Sequence, residues 1–416
     1  MPINNVTLDI DFVRSQFPAF SDPLSSKWSF FENAGGSYVP IDVITQLNNF
    51  MTSTKVQPYA NYDISKIAGE KMDKATSLFA EMINAKKDEI IIGSSTTMNM
   101  YVLSNAIKDL FKEGDEIIVT NQDHEANIGS WRRLKNDGLV IKEWQLNPTT
   151  GELEIEKLKS LLTSKTKLLA VTHCSNIVGS INDIKNITEI AHNYGAYVVA
   201  DGVSYAPHGF PNVKELDVDF YTFSLYKTYG PHLALMYGKK EILNMLPNQN
   251  HEFLDGDVPY TLNPGGPNHE ELACLIGISE YFDKLYNHHY PDNNISRLEK
   301  IKKTNELISN HEEKIANKLL DFIDTQEKIK LIGKRKIQNK NRAPTISFTY
   351  EGISSKNLSN KLNAEGIALR NDNFYAWRCL KALGIDVSDG VIRASMVHYN
   401  DLNDVEKLIN ALKKIN

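Results

Sequence analysis

Residues 219–232 read DFYTFSLYKTYGPH, and in this stretch an apolar, β-rich run passes into a turn that carries Lys227. The lysine lies among serine, tyrosine and glycine residues rather than in a charged surface segment. Residues 196–208, AYVVADGVSYAPH, have the same form, with an apolar run that ends at Asp201. Polar residues that directly follow parallel strands gather at the carboxyl edge of the sheet, where ligands bind. The two stretches therefore predict a sheet with Lys227 and Asp201 at one edge.

The same strand pattern recurs through residues 85–240. Seven β-rich runs alternate there with helical patterns such as residues 184–194: EIIIG, EIIVT, LVIKEWQL, LLAVTH, AYVVAD, FYTFS and LALMY. Such alternation is typical of an α/β protein with a doubly wound, mainly parallel sheet. Asn176 and Ser224 also follow runs of this kind, and we expect them beside Asp201.

The length of the chain, 416 residues, exceeds what one hydrophobic core usually serves. Beyond Pro291, residues 296–324 repeat apolar side chains at near-helical spacing, which predicts a long helix. A TISFTY strand and an amphipathic terminal helix follow. We therefore expect a large sheet domain at residues 30–290 and a smaller α+β domain formed by residues 1–29 and 291–416.

The composition argues against several classes of protein. A net charge of -6 with 24% charged residues offers no broad attraction for nucleic acid or anionic lipid. The three cysteines are widely spaced and form no CxxC motif, which is typical of a reducing compartment and predicts no metal site. The N-terminal residues lack a signal-peptide pattern, and no stretch approaches the roughly 18 apolar residues of a membrane span. We expect a cytoplasmic protein without a nucleic-acid or membrane partner.

Lys227 and Asp201 together supply the chemistry that pyridoxal 5'-phosphate requires. A lysine amine forms a Schiff base with the aldehyde of that cofactor, and a carboxylate keeps its pyridine nitrogen protonated, so that the ring accepts electrons. Taken singly, Lys227 reads as an exposed lysine and Asp201 as a turn cap. Their combination at one sheet edge favours the catalytic interpretation.

Phosphate ligands are expected at the segment GSSTTMN, because its hydroxyl residues precede a helical pattern and a helix start binds phosphate. With the two hydroxyl residues that flank the lysine, the candidates are Ser95, Thr96, Thr97, Ser224 and Tyr226. His124 follows the EIIVT run and is suited to stack on a flat ring and to act as acid or base near neutral pH. Taken alone, it is equally well an ordinary loop histidine.

Eight stretches, in order and at similar spacing, resemble the class V aminotransferases of the cysteine desulfurase and selenocysteine lyase branch: FFENAGGSYVP, GSSTTMN, DEIIVTNQDHEAN, SNIVGSIN, VADGVSYAPHG, DFYTFSLYKTYGPH, NPGGPNHE and VIRASMVHYN. The resemblance covers nearly the whole chain. It implies the PLP-dependent transferase fold (fold type I), pyridoxal phosphate as cofactor and an amino acid as substrate. It also implies a homodimer with the active site at the interface, where the NPGGPNHE loop with Gly266 reaches the partner's phosphate.

The resemblance also assigns roles at the cofactor. Lys227 forms the Schiff base, Asp201 contacts the pyridine nitrogen, His124 stacks on the ring and Asn176 lies beside the phenolic oxygen. The phosphate is implied to be held by Thr96, Ser224 and Tyr226.

Substrate contacts follow from the same resemblance. Arg393 matches the arginine that grips the α-carboxylate, a task suited to a bidentate guanidinium. Arg370 matches a second arginine near the substrate. The substrate side chain is expected near loop residues whose conformation the sequence does not give: Ala34, Gly35, Asn373, Phe374 and Tyr375. The two aromatic residues fit either a larger, less polar substrate or a packed loop.

The chain departs from the desulfurase pattern in the loop RNDNFYAWRCL. Tyr375 stands where desulfurases carry the cysteine that accepts sulfur, and a phenol cannot replace that thiolate. Cys379, four residues later, is expected on the following helix as a small buried residue, with recruitment by a shifted loop as the alternative. Ser204 replaces a usual glutamine, Tyr226 a histidine and Gly266 a threonine, so that the pattern retains the cofactor but leaves the substrate open.

A lyase that cleaves a Cβ–S or related Cβ–X bond by elimination is the favoured reaction, because elimination needs no loop cysteine. Two alternatives use the same carbanion: transamination, which requires a keto-acid acceptor, and epimerisation. A third alternative, from another class, is a non-catalytic binding protein with this fold.

Overall fold

The computed structural model describes residues 6–291 and 294–415. Residues 1–5 of the predicted small domain, residues 292–293 and residue 416 lie outside the described part. The strands are β1 (Ser29–Phe30), β2 (Ile90–Gly93), β3 (Glu116–Thr120), β4 (Val140–Trp144), β5 (Thr166–Thr172), β6 (Tyr197–Asp201), β7 (Phe220–Ser224), β8 (Ala234–Gly238), β9 (Ile329–Ile332), β10 (Thr345–Tyr350), β11 (Ile367–Ala368), β12 (Arg370–Asp372) and β13 (Val391–Ser395).

The helices are α1 (Ile10–Ser15), α2 (Ile41–Ser53), α3 (Asp63–Met82), α4 (Thr96–Ile107), α5 (Glu125–Arg133), α6 (Ile155–Leu161), α7 (Ile184–His192), α8 (Val213–Leu216), α9 (Lys240–Leu243), α10 (His269–Cys274), α11 (Ile276–His289), α12 (Arg297–Asp324), α13 (Ser355–Ala364), α14 (Trp377–Ala382) and α15 (Leu402–Lys413). Within the described ranges, no helix is both long and apolar enough to cross a lipid bilayer.

The seven predicted β-rich runs are the strands of one sheet, in the order β2-β8-β7-β6-β5-β3-β4. The neighbours from β7 to β4 are parallel, and β8 runs antiparallel to both β7 and β2. The prediction of a doubly wound, mainly parallel α/β sheet is therefore confirmed.

Both faces of this sheet are buried, which explains why its strands are continuous apolar runs rather than alternating ones. In β3, Ile117 packs in a core with Met100 of α4 and Trp131 of α5. Its neighbour Ile118 points to the opposite core, which contains Phe79 of α3. Helices thus cover the sheet on both sides, and its carboxyl edge stays free for a site.

The second unit consists of the antiparallel sheet β12-β13-β10-β9 with helices packed against it. The predicted long helix is α12, and Ser296 caps it in a capping box with Glu299. Val13 and Phe17 of the N-terminal segment pack in the core that contains Phe79 of the large unit. The domain bounds at residues 30 and 290 remain a prediction.

The carboxyl edge of the large sheet collects the segments singled out in the sequence. β6 ends at Asp201, β7 ends at Ser224, and Lys227 closes the 3-10 turn Leu225–Lys227 directly after β7. His124 follows β3 as the N-cap of α5. The strand order therefore brings together side chains that lie about 100 residues apart in the chain.

Candidate active site

A cavity of about 700 Å³ opens at the carboxyl edge of the large sheet. Most of the predicted cofactor and substrate residues lie in its wall: Ser95, Thr96, Thr97, His124, Asn176, Asp201, Ser204, Ser224, Tyr226, Lys227 and Tyr375. They come from six separate segments of the chain. The tertiary fold thus gathers one site from residues that the sequence only suggested.

Lys227 is buried at the floor of this cavity. Burial lowers the pKa of its amine to about 8, and the positive charge of Arg393 acts in the same direction. Asp201 opposes this shift, but its effect on the pKa is smaller. Because part of the amine is uncharged near neutral pH, Lys227 has the state that a nucleophile or base needs.

Asp201 is buried at the end of β6, and its Oδ1 accepts a hydrogen bond from the N–H of Val203 at 2.8 Å. Burial raises the pKa of this carboxyl group to about 6, while the Val203 hydrogen bond and Lys227 act against the shift. A buried carboxylate is costly unless a cation accompanies it. A cationic group bound in the cavity beside Asp201 would therefore stabilise its charged form.

A cup of hydroxyl groups forms at the start of α4. Ser95 is its N-cap and accepts a hydrogen bond from the N–H of Met98. Thr96, the first residue of the helix, places Oγ1 at 2.9 Å from Oγ of Ser224 at the end of β7. Free backbone N–H groups and the helix dipole make such a helix start favourable for a phosphate.

His124 has one defined tautomer. Its Nδ1 accepts a hydrogen bond from the N–H of Ala126 at 3.0 Å, so the ring proton belongs on Nε2. Burial lowers the pKa of the imidazole to about 3, and Lys227 and Arg393 add to the effect. The ring is therefore neutral at physiological pH and presents an N–H donor.

Arg393, on β13, is only 3% exposed and is not part of the cavity wall, although its charge acts on Lys227 and His124. One guanidinium nitrogen donates to the backbone oxygen of Asn176 at 3.3 Å, and the guanidinium carbon lies 3.6 Å from the centre of the Phe374 ring. Burial lowers the pKa of Arg393, as does Arg370, but a guanidinium keeps its proton at neutral pH. Among the described residues, no carboxylate forms an ion pair with it.

Six other predicted residues lie outside the cavity wall: Ala34, Gly35, Gly266, Arg370, Asn373 and Phe374. Arg370 has a half-exposed side chain whose Nε lies 2.8 Å from Oε1 of Glu32. Ala34 donates its N–H to Oγ of Ser395, and Gly35 donates to the backbone oxygen of Glu32. Gly266 lines a separate hollow of about 640 Å³. The roles predicted for these residues stay predictions.

The loop after β12 separates the two aromatic residues. Tyr375 is 65% exposed and lines the cavity, whereas Phe374 is 3% exposed. Cys379 lies in α14, fully buried as expected, and burial raises the pKa of its thiol to about 12. Such a thiol carries no thiolate to attack sulfur.

Several charged and aromatic residues of the wall were missed in the sequence: Tyr101, Glu125, Arg132, Arg133, His232 and Arg378. Three of them lie on α5, where Glu125, Arg132 and Arg133 recur at helical spacing on the side of His124. That spacing could have identified these three residues as part of the site. His232, which stacks on Tyr226 with ring centroids 4.4 Å apart, had none.

This fold and the side chains of the cavity are those expected for the class V aminotransferase family. Residues 29–252 and 295–408 match the aminotransferase class-V family, and the chain belongs to that family, in its cysteine desulfurase-like branch. It is therefore a pyridoxal-phosphate-dependent enzyme of fold type I, as the sequence predicted.

Individual relatives make the likeness more specific. The chain is 37% identical, over 99% of its length, to the entire aminotransferase-like protein of Gibberella zeae. It is 30% identical, over its full length, to 92% of a cysteine desulfurase-like protein of Aspergillus flavus. The apo cysteine desulfurase of Thermococcus onnurineus NA1 shares its fold, with a TM-score of 0.84 and 23% identity over 98% of both chains.

Proposed function

We propose that the protein is a desulfurase-like lyase that uses pyridoxal phosphate to cleave a Cβ–S or related Cβ–X bond of an amino acid. The observation that carries this proposal is the buried pair of Lys227 and Asp201 at the ends of adjacent strands. The desulfurase-like relatives favour a lyase over an aminotransferase or an epimerase. The intact lysine and aspartate speak against a non-catalytic protein.

The side chains of the cavity fit pyridoxal phosphate. Lys227 would bind the aldehyde, Asp201 would pair with the pyridinium nitrogen, and Thr96 and Ser224 would hold the phosphate. The Nδ2 group of Asn176 donates one N–H to Phe374, and its second N–H is available for the phenolic oxygen. When bound, the cofactor supplies an aldehyde for the substrate amine and a ring that accepts electrons from Cα.

The substrate carboxylate would bind Arg393, whose buried charge lacks a carboxylate partner among the described residues. Lys227, with its lowered pKa, would remove the proton from Cα as a base and then deliver it to the departing sulfur as an acid. Asp201 would hold the proton at the ring nitrogen of the cofactor. His124 would supply a neutral N–H donor to the cofactor, and Tyr375 lines the cavity.

Elimination accounts for bond cleavage without a loop cysteine. As the Cα–H bond breaks, its electron pair forms the Cα–Cβ double bond, and the Cβ–S pair leaves with the sulfur. Water then converts the remaining three-carbon unit of cysteine to pyruvate and ammonia. Cys379 takes no part, because its thiol is buried and protonated.

A homodimer is part of the proposal. Large apolar side chains are exposed on α2, α3 and the segment before α10: Ile41, Ile44, Met51, Ile64, Ile67, Met245, Phe253 and Tyr260. Such a concentration of exposed apolar surface supports a protein interface. In the dimer, the hollow with Gly266 would face the partner's phosphate cup. We also propose a cytoplasmic location, on the basis of the free, buried cysteines.

An absorbance spectrum with pyridoxal phosphate tests the function. The wild type should give the band of a lysine-bound cofactor, and Lys227→Ala should lose it. Lys214→Ala is the matched control, because Lys214 is ion-paired with Glu89 outside the cavity. Addition of cysteine or cysteine sulfinate should release pyruvate and ammonia without a keto-acid acceptor. A strict requirement for an acceptor would favour the aminotransferase instead, and absence of the band would refute the cofactor.

A further inference from the structure

Phe374 contacts two residues of the proposed active site at once. Its ring lies under the guanidinium of Arg393 at 3.6 Å, and its backbone oxygen accepts a hydrogen bond from Nδ2 of Asn176 at 2.9 Å. Its side chain is buried, and the guanidinium of Arg370 lies 5.4 Å from the same ring. One residue thus connects the proposed carboxylate ligand, the proposed cofactor ligand and the second arginine.

Stacking on an aromatic ring uses the face of a guanidinium and leaves its edge free. The N–H groups of arginine lie in the guanidinium plane, and a carboxylate binds two of them side by side. The ring of Phe374 therefore fixes the plane of Arg393 without occupying the donors that a carboxylate needs. The contact of Arg393 with the backbone oxygen of Asn176 fixes the rotation within that plane.

Without the ring, Arg393 has other attractive positions. The carboxylates of Glu32 and Asp372 attract its charge, whereas Arg370 repels it. An ion pair with either carboxylate would use the donors that the substrate requires. The Phe374 ring holds Arg393 by the closer contact, 3.6 Å against 5.4 Å for Arg370, while Arg370 is paired with Glu32.

The loop holds this ring in a conformation that side chains rarely adopt. Phe374 and Tyr375 have φ values of 50° and 58°, in the left-handed region. Three hydrogen bonds fix them: Asn176 Nδ2 to Phe374 O, Tyr375 N–H to Asn373 Oδ1, and Glu125 N–H to Tyr375 O. Backbone strain of this kind persists where surrounding contacts over-determine it, and it concentrates at functional sites.

We propose that Phe374 is the positioning residue that presents the edge of Arg393 to the substrate, and that it thereby sets the preference for α-amino acids over amines without a carboxylate. This inference rests on the proposed function, since it requires a carboxylate at Arg393. It assigns to Phe374 a role in specificity that the loop residue beside it, Tyr375, does not share.

The test compares L-alanine with ethylamine, which is alanine without its carboxylate, on the holoenzyme. Binding of each is read from the shift of the cofactor band. Phe374→Leu keeps an apolar side chain but removes the aromatic face. It should weaken alanine binding at least tenfold and leave ethylamine binding unchanged within twofold. Phe374→Tyr keeps the ring and should restore most of the preference.

Four results would overturn the inference. If Phe374→Leu weakened the binding of alanine and ethylamine equally, Phe374 would have only a structural role. If the variant bound alanine more tightly, the ring would hinder carboxylate binding rather than assist it. In the background of Arg393→Lys, Phe374→Leu should not change the ratio further, and an additional change would show that Phe374 does not act through Arg393. If Phe374→Leu alters folding, Phe374→Tyr decides instead, because loss of the alanine preference in a folded variant that keeps the ring would overturn the inference. A wild type without a cofactor band would instead refute the proposed function.

Discussion

Thr96 and Ser224 are 128 residues apart in the chain, yet their hydroxyl oxygens lie 2.9 Å apart where α4 begins and β7 ends. This contact joins the two segments that supply the proposed phosphate ligands.

Thr96→Val should weaken binding of pyridoxal phosphate about tenfold, since one hydrogen bond to a charged group contributes about 1.5–3 kcal/mol. A fluorescence titration of apo protein measures this. The control is Ser160→Ala, which replaces an exposed serine on α6 and should bind the cofactor normally. Unchanged affinity in Thr96→Val would show that the hydroxyl cup does not bind the phosphate.

Asp201→Asn should stabilise the apo protein while impairing cofactor chemistry. Burial raises the pKa of Asp201 from 3.8 to about 6, so the folded chain binds a proton that the unfolded chain has released. The resulting stability is complete below pH 4 and is lost as the pH rises through 6. At pH 7.5 the variant should be more stable than the wild type by about 1–3 kcal/mol, judged from two pKa units.

Urea unfolding of the apo proteins at several pH values measures this difference. Asp386→Asn is an informative control. The backbone N–H and the hydroxyl group of Ser388 donate hydrogen bonds to the exposed carboxyl group of Asp386 and lower its pKa. That variant should not gain stability at neutral pH. Destabilisation by Asp201→Asn at pH 7.5 would mean that a cationic group already compensates the buried charge.

His124 should not set the pH dependence of the reaction. Because burial lowers the pKa of His124 to about 3, the imidazole is neutral throughout pH 5–9. His124→Phe keeps a flat ring and should lower kcat about 100-fold through loss of the donor, while the shape of the pH profile stays the same. A limb of the kcat profile that disappears in the variant would contradict a neutral His124.

Cys379→Ala should leave sulfur release unchanged, because the thiol of this α14 residue is fully buried and its pKa is raised to about 12. The cost should appear in stability, about 1 kcal/mol for a small buried side chain. Product assays and thermal unfolding measure the two quantities separately. Loss of activity together with a persulfide on Cys379 in the wild type would revive a thiolate mechanism.

Ile67→Glu should convert the proposed dimer to a monomer and weaken cofactor binding at the interface. Ile67 is exposed on α3 within the apolar surface described above, and a charge there would be desolvated on association. Val140→Glu is the matched control, since Val140 is similarly exposed but lies on the edge strand β4. Sedimentation velocity reports the state of each variant, and a dimer that persists in Ile67→Glu would place the interface elsewhere.

Local patterns predicted the large elements well. The seven strands of the main sheet and the long helix α12 are where the apolar runs and the helical periodicity indicated. The cavity also contains the predicted hydroxyl cup, His124, Asp201 and Lys227. These predictions succeeded because strand and helix periodicities, and residues that follow strands, are encoded over short stretches of chain.

Contacts between distant segments were not predictable in this way. The side of α5 that carries Arg132 and Arg133 faces the cavity only because α5 packs beside β3. Gly266 lies in another hollow, and its proposed contact depends on a second chain.

By itself, the amino-acid sequence determined the strand and helix pattern, the family, and the pair of Lys227 and Asp201, because each is written in short runs of residues. Only the tertiary structure decided that Phe374 is buried against Arg393 while its neighbour Tyr375 is exposed. The reason is physical: two successive left-handed backbone conformations, held by Asn176 and Glu125 from elsewhere in the chain, set where each ring points. No local pattern encodes such contacts.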